Sequence, residues 1–272
     1  MSEETSFIYD LGVVGLGYVG LPLAVESANR NLSVLGFDID ESRINDINKG
    51  GQGAPLVPIY HHAIFSKENK NIVVVNIGGI SNYTMLIGKE LIYASDIGPG
   101  NVLLDKFCFK YFNENFDING KYSEKGRVIG ALIDDWKNKD FMRTKHPVSF
   151  DNYYFKLENY IPTNFDKYDL LRTLTFFTAL TISNLQRKYS YHIDEWIFSG
   201  GGIKNKTLMM HLKELLPINE VKLSDEKGFE SEFIESQAFA YISVRTLMGL
   251  PSSFPETTGC EVKNVCGKIF NP

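Results

Sequence analysis

Ile72-Val73-Val74-Val75-Asn76-Ile77-Gly78-Gly79-Ile80-Ser81-Asn82, followed by the alternating segment Tyr83 to Ile87, decides how most of this chain folds. The apolar run Ile72 to Val75 follows a charged break, Ser66 to Asn71, and reads as a strand that delivers the chain into a glycine pair. Toward the C-terminus a further short strand, Leu91 to Ala94, meets Asp96-Ile97-Gly98-Pro99-Gly100-Asn101, and a helix is expected from near Val102. Leu170 to Leu185 carries long apolar stripes that Thr173, Thr175 and Thr178 leave intact, which predicts a helix. A strand over Glu195 to Phe198 leads to Ser199-Gly200-Gly201-Gly202-Ile203-Lys204-Asn205, a helix over Lys206 to Leu216 and a last helix over Glu232 to Leu247. Toward the N-terminus, Gly50-Gly51-Gln52-Gly53-Ala54-Pro55-Leu56-Val57-Pro58 introduces a loop and then a helix through His61 to Phe65. Strands alternating with helices imply an α/β fold.

The first 49 residues read differently. Leu11-Gly12-Val13-Val14 is a buried strand, Gly15-Leu16-Gly17-Tyr18-Val19-Gly20 opens a helix, and a second strand, Ser33 to Phe37, ends in Asp38 before another helix. This is the local grammar of a dinucleotide fingerprint: Gly15, Gly17 and Gly20 admit a pyrophosphate to the helix N-terminus, and Asp38 binds ribose hydroxyls. The wording Val14 to Ala24, then Gly36-Phe37-Asp38-Ile39-Asp40 and Arg43 to Gly50, resembles the N-terminus of nucleotide-sugar dehydrogenases of the UDP-glucose and UDP-N-acetylmannosamine type. The resemblance stops there, and one strand–helix–strand unit lacks the second half of the sheet that shapes such a crevice. Dehydrogenase activity is not expected; a vestigial NAD site is.

The 272 residues are 43% hydrophobic and 22% charged, with 19 Phe and 14 Tyr, which is enough apolar surface to order one large domain or two small ones. A net charge of -5 gives no attraction for nucleic acid or an anionic membrane surface. Leu11 to Val25 is apolar but broken by glycines and a proline, and is shorter than the roughly 20 residues of a spanning helix. Cys108, Cys260 and Cys266 are too few and scattered for a disulfide framework, so a cytoplasmic protein is expected. His61 and His62 are adjacent and would point about 100° apart on a helix, a poor metal pair, and no structural metal is expected.

Glycines at strand ends let backbone amides approach a phosphate. Gly78-Gly79, Gly98-Gly100 and Gly200-Gly202 together suggest a nucleotide and a phosphoryl acceptor. Asp96, after a strand and beside a Gly-Pro-Gly turn, is the candidate acid–base residue, its alternative being to hold the turn amides.

The motif series Gly50 to Pro58, Asn76 to Asn82, Asp96 to Asn101, Ser199 to Asn205, then Glu235-Ser236-Gln237-Ala238-Phe239-Ala240 and Thr257-Thr258-Gly259, resembles that of anhydro-N-acetylmuramic acid kinases over about four fifths of the chain. The resemblance implies an actin-like, hexokinase-like ATPase lobe over residues 50–272, preceded by a partial Rossmann βαβα unit over residues 1–49. It implies ATP and Mg²⁺ as cofactors and an amino sugar as substrate, whose 1,6-anhydro ring is opened and phosphorylated at O6 in peptidoglycan recycling. It assigns the general base to Asp96, a place facing the sugar to Glu235, the second phosphate loop to Gly78 and Gly79, and the ATP site further to Gly98, Asn101, Gly200, Gly201, Gly202 and Asn205. The family's first-lobe Gly-Thr-Ser-x-Asp-Gly loop and His-Gly-Gln segment have no counterpart here, and Pro147-Val148-Ser149-Phe150-Asp151 matches only loosely the family's Pro-Lys-Ser-Thr-Gly. Impaired turnover and self-association through an uncovered interlobe surface are therefore expected. The alternatives are a non-catalytic nucleotide-binding fusion protein and a dehydrogenase remnant that binds NAD.

Overall fold

The computed structural model describes residues 10–14, 20–30, 32–37, 55–150, 152–189, 192–216 and 221–266. The chain divides into two compact units, Met1–Gly51 and Gln52–Pro272. In the first, strands β1 (Leu11–Val14) and β2 (Val34–Phe37) pair in parallel, Leu11 opposite Val34 and Val14 opposite Phe37, and helix α1 (Gly20–Asn29) connects them. Gly20 is the first residue of α1, whereas Gly15, Gly17, Asp38 and the expected second helix lie outside the described residues. No helix among the described residues is long and apolar enough to cross a membrane.

The second unit is built on a mixed sheet of five strands, as the α/β reading requires. β3 (Asn71–Ile77) lies at its centre, between antiparallel β4 (Ile80–Ile87) and parallel β6 (Glu195–Ser199); β5 (Glu90–Pro99) and β7 (Val221–Leu223) form the two edges. The helices are α2 (Pro58–Phe65), α3 (Val102–Phe112), α4 (Gly130–Trp136), α5 (Lys167–Ser183), α6 (Leu185–Lys188), α7 (Lys206–Leu215), α8 (Ile234–Leu247) and α9 (Pro255–Thr258).

The alternation of a strand explains the layers. Val73, Val75 and Ile77 join Trp196 and Phe198 in a core with Ala179 and Ile182 of α5 and Leu208 and Leu212 of α7. Their neighbours Ile72 and Val74 join Leu86 and Ile197 in a second core with Tyr60 and Phe65 of α2 and Ile234 and Ala238 of α8. Both faces of β3 are therefore dry, which is why its sequence is apolar without a polar stripe. A third core, with Leu103, Phe107, Trp136, Phe155 and Phe177, holds α3, α4 and α5 together.

Local chemistry sets the helix starts. The Asp166 carboxylate accepts from the Tyr168 and Asp169 amides at 2.8 and 3.0 Å, so α5 begins at Lys167, before the expected Leu170. Its threonines are tolerated because their hydroxyls are satisfied: Thr173 and Thr175 donate to carbonyls one turn back at 2.7 and 2.8 Å, and Thr178 donates to the Gly100 carbonyl at 3.1 Å. Asn205 caps α7 by accepting from the Leu208 amide at 3.1 Å.

One expectation needs correction. The strand expected over Leu91 to Ala94 is longer and contains Asp96: β5 runs to Pro99, and its pairing with β4 continues to Ile80 opposite Pro99 across two irregularities. The extension is held from its outer side by a distant segment. The Asp96 amide donates to the Val148 carbonyl at 2.9 Å, and the Val148 amide donates to Ser95 Oγ at 2.8 Å. Nothing local in the sequence encodes that partner.

Candidate active site

β3, β4, β5 and β6 bring their C-terminal or turn residues to one end of the sheet. The Gly78-Gly79 turn joins β3 to β4, and the start of α3 folds onto it. The Gly100 and Val102 amides donate to the Gly79 carbonyl at 2.9 and 3.0 Å, and the Asn101 amide donates to the Gly78 carbonyl at 2.8 Å. Glycine is required at two of these places. A Cβ on Gly100 would lie 2.3 Å from the Gly78 carbonyl oxygen, and one on Gly200 would lie 2.3 Å from Asn76 Oδ1, with φ at +84° besides.

A cleft of about 520 Å³ opens there, and its wall includes Asn76, Gly78, Asn82, Gly200, Gly201, Lys204, Glu235 and His61. A second cleft of about 350 Å³ is lined by Asn101, Asp105, Phe116, Ile118, Gly201, Lys204 and Asn205. Gly201 and Lys204 belong to both, so the two clefts adjoin. Gly201 is the glycine of this group with open space where a side chain would go. The structure thus brings Gly78, Gly200, Gly201 and Glu235 to the first cleft, and Gly201, Asn101 and Asn205 to the second. Gly79, Gly98 and Gly202 line neither. Added Cβ atoms would meet Asn152 at 3.1 Å, the Phe141 ring at 2.8 Å and Ile77 Cγ2 at 2.2 Å respectively, so these three glycines make room for packing.

Asp96 lines neither cleft; it stands opposite Asn82, which does line the first. Its carboxylate accepts from the Phe150 amide at 2.7 Å and from the Ser149 hydroxyl. Burial raises its pKa above the ordinary carboxylate value, and those two hydrogen bonds work against the rise. Val148, Ser149 and Phe150 of the loose motif therefore act on Asp96 as a strap. Glu235, on the first turn of α8, is exposed and faces the first cleft. At that cleft Lys204 is paired with Glu232, both well exposed.

Some cleft residues were not picked out by sequence reasoning. Asp105, on α3, has its pKa raised to about 6 by burial at the second cleft. Asp117 lines it too, but its carboxylate already accepts from the Tyr122 and Ser123 amides and the Ser123 hydroxyl. His61 and His62 do diverge on α2 as expected. His62 is turned out, with Nε2 at 2.7 Å from the Lys89 carbonyl, whereas His61 is 2% exposed and bonded through Nδ1 to Thr84 Oγ1 at 2.9 Å. Among the described residues no three His, Cys, Asp or Glu converge as a metal site.

Burial holds both His61 and His146 at pKa values of about 4, the nearby Lys188 ammonium assisting at His146. The folded state therefore binds fewer protons than the unfolded chain between their ordinary value of 6.5 and about 4, and stability is lost as pH falls through that window. Glu195 adds to the loss below 4.5: burial favours its acid form, but Lys227, then Lys67 and Lys70, outweigh burial and hold its pKa below the ordinary value. Asp105 and Asp96, whose pKa values burial raises, work in the opposite direction, so thermal melts at steps from pH 7 to pH 4 are expected to show Tm falling because the two histidines outweigh them. A flat profile between pH 6.5 and 4.5 would contradict the neutral burial of the two histidines.

The family model for anhydro-N-acetylmuramic acid kinase matches residues 31–272, so the match begins ahead of Gly50. An anhydro-N-acetylmuramic acid kinase of Rhodopseudomonas palustris is 37% identical over 232 residues, covering 85% of this chain and 63% of the relative. One from Vibrio parahaemolyticus is 34% identical over 259 residues, covering 92% of this chain and 70% of the relative. The chain thus spans about two thirds of the length of the curated relatives it matches. Among solved structures, the activator of the 2-hydroxyisocaproyl-CoA dehydratase from Clostridium difficile overlaps 93% of this chain and 88% of its own at a TM-score of 0.40 and 13% identity. The chain belongs to the anhydro-N-acetylmuramic acid kinase family.

Proposed function

We propose that the larger unit serves an ATP-dependent kinase that opens the 1,6-anhydro ring of N-acetylmuramic acid and phosphorylates O6. The observation that carries this reading is the convergence of Gly78, Gly200, Gly201 and Glu235, distant in sequence, on one cleft that adjoins a second lined by Asn101 and Asn205. On this reading Gly201 and the second cleft take the nucleotide, and Glu235 faces the sugar. Asp96 takes a proton from water, whose oxygen bonds to the anomeric carbon as the bond from that carbon to O6 breaks. O6 then bonds to the γ-phosphorus of ATP, ADP leaves, and Asp96 returns its proton to solvent.

The residues present fit Mg²⁺ carried on the phosphates. Mg²⁺ keeps several waters and takes one or two carboxylates at most, and Asp105 is the carboxylate of the second cleft that forms no side-chain hydrogen bond or ion pair among the described residues. When bound, the ion neutralises phosphate charge. A nucleotide-binding role without catalysis is the second reading, favoured by the position of Asp96 outside the lining of both clefts.

Isothermal titration of the purified chain with a Mg·ATP analogue and, separately, NAD tests the first step. Heat from the ATP analogue alone is the expected result, and is to be followed by an assay with the anhydro sugar. Heat from NAD alone would move the function to the fingerprint of the first unit, and heat from neither would sink the nucleotide reading.

A further inference from the structure

His61 belongs to the wall of the first cleft and to nothing in the mechanism above. Its ring is 2% exposed, and Nε2 is buried with no hydrogen-bond partner. Leaving a buried polar atom unpaired is costly, so such an atom at a cleft wall calls for a partner from the ligand.

Hydrogen-bond accounting fixes what that atom offers. Thr84 Oγ1 is 1% exposed by residue, and among the described residues its one partner is His61 Nδ1 at 2.9 Å. A buried hydroxyl must place its proton on an acceptor, and Nδ1 is the acceptor at hand. The ring, neutral because it is buried, then carries its own proton on Nε2. The cleft wall therefore holds a neutral N–H donor, fixed in tautomer by a residue of the neighbouring strand.

The charge around it selects the acceptor. Among the described residues of this cleft, the one lysine or arginine is Lys204, which is paired with Glu232, while Glu235 adds a further negative charge. These three side chains sum to a negative charge, so the wall beside them favours a neutral acceptor over an anionic one. His61 also lies outside the second cleft, which the nucleotide shares through Gly201. Resting on the kinase reading, we propose that His61 Nε2–H donates a hydrogen bond to an oxygen of the bound amino sugar, with Thr84 setting the tautomer.

Long-range proton–nitrogen spectra of histidine-labelled protein, recorded at neutral pH with and without 1,6-anhydro-N-acetylmuramic acid, read the tautomer and the contact directly. The expected result is the Nε2–H tautomer, a resonance that moves when the sugar is added, and sugar affinity roughly threefold to tenfold weaker in His61→Phe. His61→Gln, which keeps a donor, should recover part of that loss, and titration with the Mg·ATP analogue should be the same in all three proteins. Sugar binding with an unmoved His61 resonance, or with equal affinity in His61→Phe, would overturn the inference and leave the kinase reading standing. An Nδ1–H tautomer would overturn it as well. No sugar binding by the wild-type chain would overturn both.

Discussion

Replacing Asp96 by Asn is expected to lower the rate of sugar phosphorylation by a factor on the order of 10²–10⁴, the usual contribution of a general base. The substitution is chosen because it separates basicity from architecture. An amide oxygen still accepts from the Phe150 amide, at 2.7 Å in the parent, and from the Ser149 hydroxyl, so the strap stays in place. Affinity for the Mg·ATP analogue should therefore be unchanged, and Tm close to that of the parent. A purely structural Asp96, whose hydrogen bonds the amide keeps, predicts turnover kept as well. The pH dependence supplies a second readout. Burial raises the pKa of Asp96 above 3.8, so the carboxylate form is lost, and the rate falls, at a pH higher than for an ordinary aspartate. An acid limb absent from the rate profile of the parent would count against this assignment.

The second large effect distinguishes two kinds of glycine that look alike on the page. Gly100→Ala places a methyl group 2.3 Å from the Gly78 carbonyl and 3.1 Å from the Gly79 carbonyl, both backbone atoms of the turn on which α3 is hung. Gly100 cannot withdraw without losing its own 2.9 Å hydrogen bond to Gly79. Overpacking of this kind costs about 3 kcal/mol, which for a domain of this size lowers Tm by roughly 6–12 °C. Gly201→Ala meets nothing within 4 Å, so stability should move by less than about 0.5 kcal/mol while affinity for the Mg·ATP analogue drops. Calorimetric melts and titrations of the two variants check both statements. Equal destabilisation would show that Gly201 is a packing glycine too, and unchanged affinity in Gly201→Ala would remove it from the nucleotide site.

The same contrast shows how far the site could be read in advance. Gly78, Gly200 and Gly201 stand where the motifs suggested, at the ends of strands, because a strand end followed by glycines is a local feature. Gly98 and Gly202 belong to the same motifs yet lie against Phe141 and Ile77, and only the three-dimensional neighbour tells them from Gly201. Asp96 was expected to follow its strand; a segment about fifty residues later extends β5 past it and supplies its hydrogen bonds. His61 gave no signal at all, since its partner, Thr84, is on another element.

By itself the amino-acid sequence determined the α/β class of the larger unit, the order of its longer strands and helices though not the edge strand β7 or the short helices α4, α6 and α9, and the family motifs, because the two-residue and 3.6-residue periodicities and turn chemistry act between near neighbours. Tertiary structure alone decided which glycines face open space, which carboxylate is buried and strapped, and which histidine nitrogen is left without a partner. Those properties depend on groups tens of residues apart that meet only when both faces of β3 are covered, and it is burial that turns an ordinary side chain into one with a shifted pKa or an unpaired donor.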